Sequence, residues 1–368
     1  MTETNGYFQN DNEKMIDVLN LPSLEARAEK IIPKGGFGYI AGGSEDNWTL
    51  KANTEAFNHV QIIPHVLSDI EDPQTNTSFF GINVKTPIMM TATAAQGLAH
   101  AKGEIDTAKG IAKAGTLMEQ STYSSTSIAD TMAAGNGAPQ FFQLYMSKDW
   151  TFNESLLKEA KKAGAKAIVL TADATVDGYR ESDIINDFQF PIPMANLTKF
   201  SEGDGEGKGI GEIYAAAAQK ISPADVQRIK DIAGLPVIVK GVQSPEDALL
   251  AIGAGADGIQ VSNHGGRQLN GGPASFDVLT DVAKAVNHRV PIIFDSGVRR
   301  GSHVFKALAS GADMVAMGRP VIYGLALGGA DGVYSVVEHL NDELKTIMQL
   351  AGTKTIEDVK HAKLLKTN

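Results

Sequence analysis

The segment AGADGIQVSNHGGR, residues 254–267, contains the pattern that decides the fold. A helix end is marked by Ala254-Gly255-Ala256, an apolar run follows, and the run closes on the polar residue Ser262. Glycine commonly ends a helix in the left-handed conformation, and a short apolar run is typical of a strand that is buried on both faces. Ser262 is therefore predicted to lie just beyond the carboxyl end of a buried strand.

The same pattern recurs at three other places, where it leads to Ser121, to Thr171 and to Gly318-Arg319. Four further apolar runs fill the gaps: Thr86–Thr91, Gln140–Tyr145, Pro236–Lys240 and Pro291–Asp295. Eight buried strands that alternate with helices predict a parallel α/β sheet. A closed (β/α)8 TIM barrel fits a chain of 368 residues as a single domain, 1–368. An open, doubly wound sheet is the alternative.

The helices of the barrel have their own start signals. Ser222-Pro223 and Ser244-Pro245 each place a capping serine before a proline at the first helical position. After Ser275, apolar residues recur at the spacing of a helix. These signals predict helices that begin at the three serines.

Two segments lie outside the repeated pattern. Residues 1–80 are predicted to be an N-terminal extension, with a helix at Leu24–Ile32 and a glycine-rich turn. Residues 176–221 form an unusually long connection after the fourth strand, and long connections in compact domains commonly serve as binding loops. We interpret the second segment as a lid.

Composition restricts the class of protein. The net charge of −10 and the lack of a basic tract argue against nucleic acid as a partner. The absence of cysteine excludes disulfides, thiolate metal sites and cysteine nucleophiles, and no metal site is predicted. The N-terminus is polar and acidic, unlike a signal peptide. The sequence has no run of about 18 apolar residues, so no membrane span is predicted. A cytoplasmic location is expected.

The turn Ser262–Arg267 contains a candidate for catalysis. His264 supplies a titratable base, and Arg267, three residues later, supplies a fixed cation. A small hydroxy acid needs that pair, because its hydroxyl proton must be removed and its carboxylate must be bound. The alternative is a surface loop whose histidine caps a helix.

The ends of three other strands carry further candidate functional groups, a lysine and two turns. Lys240 ends an apolar strand, where it would form a Schiff base or place a positive charge near an electron-rich cofactor. The turns Asp295–Gly301 and Gly318–Pro320 follow the last two strands, the usual position of a phosphate site in barrels. In contrast, the glycines of 35–43 do not have the spacing of a dinucleotide fingerprint.

Seven motifs give the sequence a resemblance to a known family. They are YIAGGSED (39–46), QLY (143–145), LTAD (170–173), VIVKG (237–241), SNHGGRQL (262–269), FDSGVRRG (294–301) and GRP (318–320). The chain resembles the FMN-dependent L-2-hydroxy-acid oxidases, most closely the bacterial L-lactate oxidases, from residue 20 to residue 350.

The resemblance implies that FMN lies across the mouth of the barrel, and it implies the residues that bind it. These are Thr93, Ala94, Ser121, Gln143, Thr171, Lys240, Ser262, Asp295, Ser296, Gly297, Arg299, Gly318 and Arg319. The last six would surround the phosphate group. Lys240 would stabilise the anionic reduced flavin.

The resemblance also implies a catalytic arrangement. His264 would be the base, oriented by Asp173, while a hydride equivalent passes to FMN. Arg180 and Arg267 would bind the substrate carboxylate with the help of the hydroxyl groups of Tyr39 and Tyr145. Tyr123 and Tyr214 would shape the pocket.

The implied reaction is oxidation of L-lactate by O2 to pyruvate and H2O2, by a homotetramer. Related alternatives are oxidation of another small L-2-hydroxy acid, such as glycolate or 2-hydroxybutyrate, and an FMN-dependent L-lactate dehydrogenase. A different class is a phosphate-binding isomerase or a Schiff-base aldolase that uses Lys240. A flavin-binding scaffold without activity is a further alternative.

Two residues depart from the family pattern. Ala92 stands where the family usually has proline, and we expect a looser loop under the flavin. Phe190 stands at a lid position where a close relative type has tyrosine, and we expect the loss of a polar pocket contact.

Overall fold

Eight short parallel strands hydrogen-bond side by side, and the last pairs with the first. They are β1 (Ile88–Met90), β2 (Met118–Ser121), β3 (Gln140–Leu144), β4 (Ile168–Thr171), β5 (Val237–Val242), β6 (Gly258–Val261), β7 (Ile292–Phe294) and β8 (Met314–Met317). The closed barrel is confirmed, and the open sheet is excluded because Ala316 pairs with Met89. This computed structural model describes residues 2–4, 6–199 and 203–367.

A helix follows each strand before the next begins. These helices are α1 (Gly103–Ala114), α2 (Ile128–Ala134), α3 (Trp150–Ala163), α4 (Pro223–Ala233), α5 (Pro245–Gly253), α6 (Ser275–Val286), α7 (Gly301–Ala309) and α8 (Arg319–Ala351). The predicted starts of α4, α5 and α6 are confirmed. Gly115 and Gly164 cap α1 and α3 with φ angles of 71° and 102°, as the repeated pattern predicts.

The helix α8 is long and apolar enough to cross a membrane, and most of that stretch is buried inside the protein. Its backbone leaves the helical conformation at Gly328 and Gly329, so it consists of two helices joined at a kink. Gly329 has a φ of 59° and a ψ of −141°, which only glycine adopts without strain. The buried side chains of both halves pack into the core of the protein.

The inside of the barrel changes from apolar to polar along the strands. Its lower layer contains Met89, Phe141, Val169 and Ile238, which pack in one cluster. A hairpin of Thr77–Phe79 and Ile82–Val84 closes the amino-terminal end. Successive side chains of a strand point to opposite faces, so the residue two positions later faces the same way. Two positions after the four residues of the lower layer lie the polar residues Thr91, Gln143, Thr171 and Lys240, which therefore also face the inside of the barrel.

The segment before the barrel is mostly helical. A hairpin (Thr2–Thr4 and Tyr7–Gln9) precedes helices Leu21–Ala28, Lys34–Ala41 and Trp48–Glu55, the 3-10 turn Ala56–His59 and strand Val60–Ile62. That strand pairs with Leu364–Lys366, which follows the short helix Ile356–Lys360. The helix expected at Leu24–Ile32 exists but begins and ends earlier, because the Asn20 side chain accepts the Ser23 N–H and starts it at Leu21.

The expected glycine-rich turn is wrong, because Gly35, Gly36 and Gly38 lie inside the helix Lys34–Ala41. These glycines are required by close packing. A Cβ on Gly36 would collide with the hydroxyl of Tyr7, and one on Gly38 would lie 2.6 Å from the Asn186 side chain. The glycines thus allow the extension and the segment after β4 to approach this helix.

The connection after β4 covers the carboxyl-terminal end of the barrel. It contains helix Glu181–Ile185, the 3-10 turn Ala195–Lys199 and helix Ile210–Tyr214. Residues 200–202 of the lid that we expect at 176–221 lie outside the described part of the chain. The ring of Phe188 stacks on that of Tyr39 with 5.2 Å between centroids, so this connection packs against the N-terminal extension.

Candidate active site

A cavity of about 940 Å³ opens at the carboxyl ends of the barrel strands. Most residues predicted for the site line it: Tyr39, Thr93, Ala94, Tyr123, Gln143, Tyr145, Thr171, Arg180, Tyr214, Lys240, His264, Arg267, Asp295, Ser296, Gly297, Arg299, Gly318 and Arg319. Ser121, Asp173 and Ser262 lie behind this lining and hydrogen-bond to it. The fold therefore brings the whole predicted set together.

His264 is held by two side chains. Its Nδ1 lies 3.1 Å from Asp173 Oδ1, and its Nε2 lies 3.0 Å from the Tyr145 hydroxyl. An ionised carboxylate only accepts, so Nδ1 carries the hydrogen and Nε2 is left as the acceptor. The backbone of His264 has a φ of 60°, an unfavourable conformation for a residue with a side chain that commonly marks a functional site.

The charges around His264 favour its neutral form. Burial lowers the pKa of His264, and the nearby charge of Lys240 lowers it further, against the opposing effect of Asp173. Burial alone would raise the pKa of Asp173, but the charge of Lys240 and the hydrogen bond from His264 lower it overall. The imidazole is thus an unprotonated base beside an ionised carboxylate.

Arg180 has donors that lack partners. Its Nη2 donates to the Gln268 side chain at 3.2 Å, while its Nε and Nη1 are buried with no partner among the described residues. A buried guanidinium donor without a partner is costly, so such a group indicates a binding site for an anion. The guanidinium lies 5.7 Å from the centre of the Tyr39 ring, inside the cavity.

Arg267 is engaged differently. Its Nη1 donates to the carbonyl groups of Tyr39 at 2.6 Å and Gly42 at 2.7 Å, at the end of the helix Lys34–Ala41. The guanidinium lies 4.8 Å from the Tyr39 ring centre, on which Arg180 also packs. Burial lowers the pKa of Arg267, and the charge of Arg180 adds to this effect. Two buried cations that repel each other favour the binding of an anion between them.

The part of the cavity at the carboxyl ends of β7 and β8 is also positively charged. Burial, together with the charge of Arg267, lowers the pKa of Arg319 to about 9. The Arg319 guanidinium donates to the carbonyls of Ile40 and Gly42, and the Arg299 guanidinium donates to that of Val298. The helices α7 and α8 also begin at this side, and helix N-termini attract anions.

Lys240 remains a cation in the floor of the cavity. Burial alone would lower its pKa, but the carboxylates of Asp173, Asp295 and Glu119 raise it overall. Its Nζ donates to the Ser262 hydroxyl at 3.0 Å. Schiff-base chemistry requires a neutral amine, so this environment argues against the aldolase alternative.

Three tyrosines form the wall opposite the arginines. Tyr123 and Tyr145 stack with 4.6 Å between ring centroids, and Tyr214 packs on both at 6.2 and 6.0 Å. Burial raises the pKa of each hydroxyl, so all three remain protonated. Phe190 is fully buried behind Tyr39, 5.0 Å from its ring centre, and does not line the cavity.

Sequence reasoning missed part of the cavity floor. The missed residues are Thr91, which lines the cavity, and Glu119, which lies below it and accepts the N–H of the expected loop residue Ala92. Glu119 precedes Ser121 by two residues and therefore faces the same way. An acidic residue at an inward position of a buried strand was the available signal.

Comparison with known proteins shows the family of this chain. A model of the FMN-dependent dehydrogenase family matches residues 28–366. An L-lactate oxidase of Lentilactobacillus hilgardii is 73% identical over 365 residues, 99% of this chain and 99% of that protein. A solved structure described as a lactate oxidase of Pediococcus acidilactici is 70% identical, covers 100% of both chains and has a TM-score of 0.96.

A more distant solved structure gives a useful contrast. A mandelate oxidase with (S)-4-hydroxymandelic acid is 33% identical, with a TM-score of 0.90 over 95% of this chain and 99% of that one. The same fold thus occurs with a substrate that is larger than lactate by an aromatic ring.

Proposed function

Because the chain belongs to the FMN-dependent dehydrogenase family, we propose that it is an FMN-dependent oxidase that converts L-lactate and O2 to pyruvate and H2O2. The observation that carries this proposal is the pair of unpartnered buried donors of Arg180, which line the same cavity as the unprotonated Nε2 of His264. A 2-hydroxy acid needs both, one for its carboxylate and one for its hydroxyl group.

FMN fits the donors and charges of the cavity. Lys240, Gln143 and Thr171 present polar groups at the floor, and Arg299 and Arg319 supply positive charge where α7 and α8 begin. When bound, FMN supplies the acceptor for the two electrons that leave the substrate.

In this proposal Thr93, Ala94 and the polar floor would hold the flavin ring, and the loops at the ends of β7 and β8 would hold the phosphate group. Gly297 supports this arrangement, because its φ is 85° and a Cβ there would collide with the backbone of Asn53. Ser296 also fits, because its hydroxyl accepts the Gly265 N–H at 3.1 Å and ties this loop to the catalytic turn.

The chain's own groups perform the proton chemistry. Nε2 of His264 takes the proton of the substrate hydroxyl, and the Asp173 carboxylate stabilises the imidazolium that results. Arg180 and Arg267 hold the substrate carboxylate, and the hydroxyl of Tyr145 lies at Nε2, where the substrate hydroxyl must bind. Lys240 keeps a positive charge beside the cofactor, which favours a gain of negative charge there.

The small size of the substrate follows from the tyrosine wall. The stacked rings of Tyr123 and Tyr145, with Tyr214 packed on their edges, occupy the space that a large substituent on the substrate would need. We therefore propose L-lactate ahead of bulkier 2-hydroxy acids. The name of the L-lactate oxidase relative at 73% identity agrees with this choice.

We further propose a cytoplasmic homotetramer, with residues 1–80 as the extension of a single barrel domain and 176–221 as its lid. Large apolar side chains near the cavity mouth support an assembly: Tyr179, Ile185 and Leu269 are exposed. Patches of this kind commonly mark protein interfaces. The net charge of −10 and the absence of cysteine agree with the cytoplasm.

Product stoichiometry tests the proposed reaction. Purified yellow protein is supplied with L-lactate in air, and O2, pyruvate and H2O2 are followed together. One pyruvate and one H2O2 for each O2 consumed is the expected result. Acetate and CO2 that still form in a parallel reaction with catalase, which removes free H2O2, contradict release of free H2O2. A reduced protein that persists in air and is reoxidised only by a quinone contradicts O2 as the acceptor.

A further inference from the structure

A carboxyl group lies inside the barrel just below the cavity. Glu119 is in β2, and its side chain is fully buried. It does not line the cavity, whereas the segment Thr91–Ala94 above it does. A buried carboxyl group is strongly unfavourable unless it is hydrogen-bonded, so its partners indicate why it is there.

Both partners of Glu119 belong to that segment. One carboxyl oxygen, Oε2, accepts the backbone N–H of Ala92 at 2.9 Å and lies 3.1 Å from the hydroxyl of Thr91. The other oxygen, Oε1, is buried with no partner among the described residues. The carboxyl group therefore makes its hydrogen bonds to the wall of the cavity and not to the neighbouring strands.

The identity of residue 92 decides whether this contact exists. Proline has no N–H group, so a chain with the proline that is usual in the resembled family has no donor for Glu119 at this point. Ala92 has the donor and uses it. The looser loop that we expect from Ala92 stays a prediction, and the hydrogen bond to Glu119 is a restraint that proline could not make.

We propose that Glu119 is a positioning residue for the cofactor: its carboxyl group holds the segment Thr91–Ala94 in place against FMN through the Ala92 N–H and the Thr91 hydroxyl. This inference rests on the proposed position of FMN in the cavity. It does not depend on which 2-hydroxy acid is oxidised.

The same contact extends to the proposed phosphate loop. The Thr91 hydroxyl also lies 3.1 Å from Asp295 Oδ2, and Gln260 Nε2 donates to that oxygen at 2.8 Å. Asp295 ends β7 and begins the loop with Ser296 and Gly297. Glu119 and Thr91 thus link the segment after β1 with the loop after β7, two walls of one cavity.

Gln260 is a second donor in this network, because its Nε2 also donates to the Thr91 hydroxyl oxygen at 3.0 Å. Thr91 has one hydroxyl hydrogen, and two carboxyl groups, of Glu119 and Asp295, lie within reach of it. Burial raises the pKa of Glu119 to about 7, with the charge of Asp295 adding to the effect and that of Lys240 opposing it. At pH 6 the Glu119 carboxyl group is therefore mostly protonated and resembles a glutamine amide in charge.

A double-mutant cycle at pH 6 tests the proposal. We compare Glu119→Ala, Ala92→Pro and the double variant, and we follow FMN dissociation from the full-length holoenzyme by the recovery of flavin fluorescence. Each single variant is expected to bind FMN about 10-fold more weakly, which corresponds to one hydrogen bond between uncharged groups. The double variant is expected to be little weaker than either single variant, because both remove the same bond.

Two conservative variants are the controls. Glu119→Gln keeps an oxygen for the Ala92 N–H, and Ala92→Gly keeps the N–H group, so both are expected to bind FMN within about threefold of wild type. Losses that add independently in the double variant overturn the proposal. A Glu119→Gln variant as weak as Glu119→Ala also overturns it. If Glu119→Ala does not fold, equal FMN binding by Ala92→Pro and Ala92→Gly overturns it.

The outcomes separate this inference from the proposed function. A wild-type protein that does not retain FMN contradicts the proposed position of the cofactor. Retention of FMN by the wild type and by every variant equally contradicts only the role of Glu119.

Discussion

At the scale of single residues, the site separates the tasks of proton removal and anion binding. The imidazole of His264 is aligned by Asp173 on one side and meets the Tyr145 hydroxyl on the other. Neither partner can replace it as a base, because Asp173 lies behind the ring and the Tyr145 hydroxyl stays protonated. Base function therefore depends on one nitrogen atom.

The variant His264→Ala is expected to retain FMN but to lose reduction of the cofactor by L-lactate. General bases contribute about 10²- to 10⁴-fold to rates, so the decrease should be at least of this order. Anaerobic stopped-flow absorbance measures it, and His361→Ala, at an exposed histidine, is the control. Reduction of His264→Ala at the wild-type rate would falsify the assignment of the base.

The two arginines differ in what they hold. Arg180→Ala removes donors without partners in the structure, so we expect weaker binding of pyruvate, by about 2–5 kcal/mol, with little change in the unfolding temperature. Arg267→Ala also removes donors to the Tyr39 and Gly42 carbonyls, so we expect it to lower both affinity and unfolding temperature. Titration of the cofactor spectrum with pyruvate and thermal unfolding separate the two effects.

Lysine at either position tests the geometry of this contact. A lysine ammonium is a point charge and cannot form the paired bonds of a guanidinium, so neither Arg180→Lys nor Arg267→Lys should restore full affinity for pyruvate. Wild-type affinity for pyruvate in Arg180→Ala would contradict its role in binding the carboxylate.

At the scale of elements, the start of α7 supports the proposed phosphate loop. His303, in its first turn, stacks on Phe57 with 4.1 Å between ring centroids. Its Nδ1 accepts the backbone N–H of Arg299 at 3.2 Å, which requires an unprotonated ring nitrogen. This histidine thus connects the N-terminal extension, the helix and the loop.

His303 makes the stability of the protein sensitive to acid. Burial, with the charge of Lys306 second, lowers its pKa from 6.5 to about 4 in the folded state. The unfolded chain binds this proton more readily, so the contribution to stability is complete above pH 6.5 and is lost as pH falls towards 4. The full loss corresponds to roughly 3 kcal/mol.

We expect the variant His303→Phe, which keeps the stacking on Phe57, to lose less stability than wild type between pH 7.5 and pH 5. Thermal unfolding of the two proteins at both pH values measures the difference. Other titrating groups affect both proteins alike and cancel in the comparison. An equal decrease in unfolding temperature for the two proteins would rule out His303 as the source.

The short helix Ile210–Tyr214 is expected to limit the size of the substrate. Tyr214 ends this helix and packs on Tyr123 and Tyr145, so kcat/KM is expected to decrease from L-lactate to 2-hydroxybutyrate to mandelate. A methylene group changes discrimination by about 1–3 kcal/mol, so the decrease should be graded. Tyr214→Ala should raise turnover of mandelate relative to lactate. A wild-type preference for mandelate would contradict the crowded pocket.

At the scale of the whole molecule, closure of the barrel brings distant parts of the chain to one cavity. The pairing of β8 with β1 places Gly318 and Arg319 beside Thr91–Ala94, which lie more than two hundred residues earlier. The extension contributes Tyr39, and the connection after β4 contributes Arg180 and Tyr214.

The proposed homotetramer can be tested on the intact protein. Exposed Tyr179, Ile185 and Leu269 should be covered by neighbouring subunits, because apolar patches of this kind are unfavourable in water. Size-exclusion chromatography with light scattering should give four times the chain mass of 39.0 kDa. A monomer at micromolar concentration contradicts the assembly.

The order of the eight strands and the polar residues at their ends could be predicted from the sequence, whereas closure of the barrel was decided by the pairing of β8 with β1. Each of the two predicted features has a local cause. Glycine after a helix, an apolar run and a polar residue at its end are consecutive in the chain, and inward-facing residues recur at a fixed spacing. The catalytic turn around His264 was also visible, because its histidine, glycines and arginine are adjacent.

Only the tertiary structure decided how these groups are used. The glycines of 35–38 lie in a helix because of contacts with Tyr7 and Asn186, and Arg267 is shared between the cavity and the carbonyl of Tyr39. The bond between Glu119 and Ala92 joins β2 to the segment that follows β1. Such contacts depend on atoms that are far apart in the chain and meet only when the barrel closes, so no local pattern contains them.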